Sequence, residues 1–126
     1  MFEDAYAQLA NVQQQQSDLK RAVDSGQLWM EARVAESAAK RCEHAINEID
    51  GWLMNTDRLL KAARFGDNDD GHASATRFVQ AGHDFVNVMT GAQQVFANMA
   101  ATYRAAGRTA ADADQAGADS LRARSA

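Results

Sequence analysis

No proline occurs anywhere in the 126 residues. This absence removes the residue that breaks helices most severely, at about 3 kcal/mol per interior position. Alanine, which loses least on entering a helix, supplies 27 of the 58 hydrophobic residues, whereas valine supplies seven and isoleucine two. The chain is therefore rich in helix formers and poor in the β-branched side chains that favour strands. The fold class read from these numbers is all-α: a long antiparallel helical hairpin with an additional N-terminal helix and a helix-prone C-terminal tail. Its length suits one domain. No stretch approaches the roughly 20 apolar residues of a membrane-crossing helix, so no membrane insertion is expected.

Periodicity divides the chain into three helices, at about 2–24, 28–65 and 73–107, forming a single domain over 1–107, with a helix-prone or disordered tail over 108–126. In the first helix Ala5, Leu9, Val12, Gln16, Leu19 and Val23 recur at steps of four and three, a stripe with one polar member. Asp24-Ser25-Gly26 supplies the stop and turn. The second helix carries Ala35, Ala38, Cys42, Ala45, Ile49, Trp52, Thr56, Leu59 and Ala63 on one seam. Glu36 with Lys40 and Asp57 with Lys61 have the spacing of stabilising surface pairs. Phe65-Gly66-Asp67-Asn68-Asp69-Asp70-Gly71-His72 reads as the hinge, with Asp70 or Ser74 as the next N-cap. Beyond it Phe78, Gly82, Phe85, Met89, Ala92, Phe96, Met99, Tyr103, Ala106 and Ala110 keep an a/d heptad. After Gly107 only Leu121 is large and apolar, so the tail is expected to be mobile when the protein is alone and ordered in a complex.

The pattern offers little chemistry. A net charge of −4 lacks the electrostatic footprint of a phosphate-backbone binder, so nucleic acid is not an expected partner. No Glu-x-x-His, HExxH or Cys/His cluster is present, nor a phosphate loop or nucleophile elbow. Asp67-Asn68-Asp69 opens like a calcium loop, but glycine falls at the fifth position and Phe78 stands where a bidentate Glu is required. The lone Cys42 lies on an apolar face, as a small core residue does. No catalytic residue, cofactor or metal site is therefore expected. Phe78, Phe85, Met89, Phe96, Met99 and Tyr103 read first as core. A two-helix hairpin cannot hide that much apolar surface, so the first helix or a partner chain would cover the remainder. Trp29 and Met30, at the start of the second helix, are candidates either for a partner contact or for capping the near end of the bundle. The acidic start, Met1-Phe2-Glu3-Asp4, has no basic region followed by an apolar run. That predicts a cytoplasmic protein or one exported by a route independent of a signal peptide.

Two long helices around a glycine-containing hinge, followed by the Ala/Asp-rich segment MAATYRAAGRTAADADQAGADSL from Met99 to Leu121, resemble the small helical-hairpin proteins of actinobacterial type VII (ESX-type) secretion, the WXG100-like superfamily. The resemblance spans roughly Leu28 to Leu121 and is one of architecture and composition. It implies a protein that acts by pairing, as a substrate or as an adaptor or chaperone. The partner would be another helical hairpin, in a homo- or heterodimer, or the N-terminal helical region of a larger effector. Two motifs depart from the family. Trp52 is followed by Met54 rather than glycine two residues on, and Tyr103, the export-signal-like residue, is followed four residues later by Gly107 rather than an acid. A partner would then carry the export signal. Two other readings are a four-helix-bundle binder of a metal or small ligand and a monomeric three-helix regulatory module.

Overall fold

The computed structural model describes residues 2–62, 64–108 and 110–125. The fold is all-α, built from α1 (Glu3–Asp24), α2 (Ala32–Ala62), α3 (Asp69–Ala106) and α4 (Ala110–Ser125), with two-residue strands β1 (Met30–Glu31) and β2 (Gly107–Arg108). α1 ends where Gly26 turns into the left-handed region, φ +78°, which a glycine adopts without a Cβ penalty. The tail expected from Arg108 onward divides between β2 and a further helix, α4, whose main contact is with β2.

The second helix begins at Ala32 rather than near Leu28, and the cause is long-range. Met30 and Glu31 pair in parallel with Gly107 and Arg108, which holds their backbone extended. The Glu31 carboxylate then accepts from the amides of Arg33 and Val34, at 3.1 and 3.2 Å, and caps the first turn. The third helix starts earlier than its periodicity suggests, at Asp69. Its N-cap is Asn68, whose side chain accepts from the Gly71 amide at 2.7 Å, in place of Asp70 or Ser74. Gly71 is required there for space, since a Cβ would overlap the Gly66 carbonyl.

α3 is the central helix, flanked by both others. Tyr6 meets Asp84, Leu9 meets Gly91 and Gln16 meets Thr102, so α1 runs parallel to α3. Arg104 meets Glu36 and Glu43, Gln93 meets Asp50, and Gly82 meets Leu60, so α2 runs antiparallel to it. At about 100° per residue, the α3 positions that face α1 and those that face α2 lie nearly opposite one another around the axis. The three helices therefore form a layer in the order α1, α3, α2, with α3 open on two sides.

Small residues make the helix contacts. Ala35, Ala39, Cys42 and Ile49 of α2 and Val88, Val95, Ala100 and Ala106 of α3 are buried, and among the described residues no large side chain is fully enclosed. Gly91 receives the Leu9 side chain and Gly82 that of Leu60, so α3 has a notch for each flanking helix. Close approach of this kind gains dispersion contacts but leaves longer side chains outside the seams.

Candidate functional site

The heptad residues of α3 lie between the two helix contacts, not within them. Phe85, Met89, Phe96, Met99 and Tyr103 are each only half-buried, and Phe78 is exposed. Phe96, Met99 and Tyr103 rest against the Ala39–Cys42–Ala100 cluster. From there one groove opens toward α1, about 300 Å³, where Leu9 and Val12 face Val88, Met89, Ala92 and Phe96. A second groove opens toward α2, about 390 Å³, where Val34, Ala38 and Arg41 face Met99 and Tyr103. Both grooves use the same side of α3, so they join into one surface across the layer. Arg41 is the only charged residue lining either.

Seven-residue steps along α2 extend this surface, because Ala38, Ala45, Trp52 and Leu59 fall on one line of the helix. Trp52 is 51% exposed and Leu59 63%, against the expectation that both would belong to a closed seam. Ala63, placed on the same seam by the sequence, lies outside the described residues.

The opposite side of the layer is polar. Glu36, Glu43, Asp50 and Asp57 form a second seven-residue line on α2. Arg104 donates to Glu36 through Nε and Nη2, both at 3.0 Å, and to Glu43 through Nη1 and Nη2, at 3.2 and 2.8 Å. These hydrogen bonds hold both carboxyls below their ordinary range and raise the guanidinium. Glu36 thus pairs across to α3 rather than serving the expected bond to Lys40, while the expected Asp57–Lys61 pair is present at 3.0 Å. Gln93 donates to Asp50 at 2.6 Å and to the Ile46 carbonyl at 3.0 Å. Between α1 and α3 the polar side holds Gln16, Ser17, Lys20, Asn98 and Thr102 around a groove of about 450 Å³.

The remaining candidates separate along the molecule. Trp29 is 48% exposed in the turn before β1, and Met30 is half-buried where β1 pairs with Gly107. Phe78 stands near the other end of α3, its ring 5.6 Å from that of Phe65, roughly 40 Å away at 1.5 Å per residue. Trp29 and Met30 therefore do not join the Phe78 end of the surface. The hinge side chains are engaged locally, with Asp67 to His72 at 2.9 Å and Asn68 on the Gly71 amide. Among the described residues no three His, Cys, Asp or Glu side chains converge as metal ligands would. Burial, with Glu43 beside it, pushes the Cys42 thiol above its ordinary value, away from the thiolate that reactive cysteines need.

The Arg104 clamp was not foreseen, because its carboxylates lie 68 and 61 positions away. Two glutamates seven apart facing the far end of an antiparallel helix would have been the signal. Comparison with protein-family models, with curated proteins and with solved structures finds no match.

Proposed function

We propose that this chain acts by pairing with another helical protein and not by catalysis, as a substrate or an adaptor of a type VII-like secretion system. The observation that supports it is the largely apolar surface running across three helices, whose two grooves are lined by a single charged residue, Arg41. Exposed patches of this extent and continuity are characteristic of interaction sites. The secretion role rests on the likeness in architecture and composition to WXG100-like hairpins. In that role the protein leaves the cell, itself or with its partner, through the secretion system. Co-expression with the product of the neighbouring gene, followed by purification on a tag carried by one chain only, tests the pairing. Mass spectrometry of the culture medium, with and without the host's secretion ATPase, tests the export. Stoichiometric co-purification and ATPase-dependent appearance in the medium are the expected results. A protein that binds neither itself nor that product would overturn the pairing reading, and retention in the cell with every partner present would overturn the secretion role.

A further inference from the structure

α1 is held to the molecule by far less than holds α2 to α3. Four hydrogen bonds from Arg104, two from Gln93 and the β1–β2 pairing fasten α2 to α3. Among the described residues no ion pair joins α1 to another element, its Lys20–Asp24 and Arg21–Asp18 pairs being internal. Val23 is its only buried apolar residue among them, whereas Val12 is 42% exposed. The bond from Tyr6 to Asp84 lies at the surface, where water competes for it. Grooves of about 300 and 450 Å³ flank the seam with α3 on its two sides, so only a narrow ridge of α1 touches its neighbour. On that ridge Gln16 is buried with Oε1 unpaired, so docking leaves one acceptor worse off than it would be in solvent.

We infer that α1 is a displaceable cover, which undocks from α3 as one unit while the α2–α3 hairpin stays folded. The connection permits it. α1 makes its contacts with α3, and the turn that follows it carries Gly26 at φ +78°, so swinging α1 away breaks one seam and leaves the β1–β2 pairing in place. What α1 covers is apolar. Val88 and Val95 are buried where Leu9 and Val12 face them, and Gly91 forms the notch that Leu9 fills. Ala92 and Phe96 border this strip, so undocking extends the apolar surface of the layer onto a further face of α3. Contiguous apolar surface marks interaction sites, and α1 sets how much of it the resting chain shows. That consequence rests on the pairing reading above, whereas the undocking does not.

Native-state hydrogen exchange of the full chain, read amide by amide, tests the undocking. A helix draws most of its stability from packing, so the α1 amides lose their protection once its seam opens. They are expected to share one protection factor, roughly tenfold or more below that of the α2 and α3 cores. Ile49 is buried in α2, away from the α1 seam. Ile49→Ala, or the milder Ile49→Val if the alanine variant fails to fold, should lower protection in α2 and α3 by roughly threefold or more and leave α1 within about twofold. Thr102→Val strands the Gln16 amide and should lower protection throughout α1 by roughly fivefold or more, which fraying from the helix ends would not do. α1 amides as protected as those of α2 and α3, or falling with them in the Ile49 variant, overturn the inference, as does an α1 unaffected by Thr102→Val. The measurement is made on the chain alone, so its failure is distinct from a failure of pairing.

Discussion

Among the described residues Gln16 and Thr102 form the one buried side-chain hydrogen bond between α1 and α3, with Gln16 Nε2 donating to Thr102 Oγ1 at 2.8 Å and Thr102 donating onward to the Asn98 carbonyl, also at 2.8 Å. Gln16 Oε1 is buried without a hydrogen-bond partner, a state that costs about 1–3 kcal/mol. Gln16→Met removes that atom while Thr102 keeps its carbonyl acceptor, so its stability should equal the parent's or exceed it by up to about 1 kcal/mol in urea denaturation. Thr102→Val strands the Gln16 amide as well and should cost about 1–3 kcal/mol in the same measurement. The Arg104 clamp predicts a pH dependence. Glu36 and Glu43 titrate lower in the folded chain than unfolded, so their contribution is present above the ordinary carboxylate range and is lost as pH falls through their depressed values. Arg104→Gln should flatten the acid limb of a plot of denaturation midpoint against pH, with little change in its shape above neutrality. An unchanged acid limb would contradict the clamp.

At the scale of elements, α1 is legible from its own residues, since its stripe and the Asp24-Ser25-Gly26 stop are both local. The start of α2 is not. Two residues of parallel strand pairing, 77 positions apart in sequence, set it, and no local periodicity encodes a ladder that short. The heptad of α3 correctly marks Phe85, Met89, Phe96, Met99 and Tyr103 as one apolar line. What the line cannot reveal is which neighbour covers it. Alanines and glycines take the helix contacts because they permit the closest approach, and the larger side chains are left beside the seams. Gln16 was visible as a polar break in the α1 stripe, but its partner on α3 was not. α4 has its main contact with β2. Truncation after Arg108 should therefore change the unfolding free energy by less than about 1 kcal/mol, read from denaturant midpoints at constant slope. A larger loss would mean that α4 belongs to the cooperative core.

The whole molecule is a layer with one polar and one apolar side, and its stability must come from thin seams of small residues. A layer of this kind gains most by covering its apolar side, and absence of proline with abundance of alanine is consistent with the pairing proposed above as well as with helices. Long alanine-rich helices approach closely and hold their register, yet they enclose little volume, so the aromatic and methionine side chains remain partly exposed. The three methionines Met54, Met89 and Met99 sample both parts of the surface, the first off the apolar side and the other two lining it. Hydroxyl-radical oxidation of the chain alone and of the chain co-expressed with the neighbouring gene's product, read peptide by peptide in a mass spectrometer, compares them directly. The account predicts that Met89 and Met99 oxidise more slowly in the paired chain than in the chain alone while Met54 oxidises equally in both. Equal rates at all three positions would contradict it.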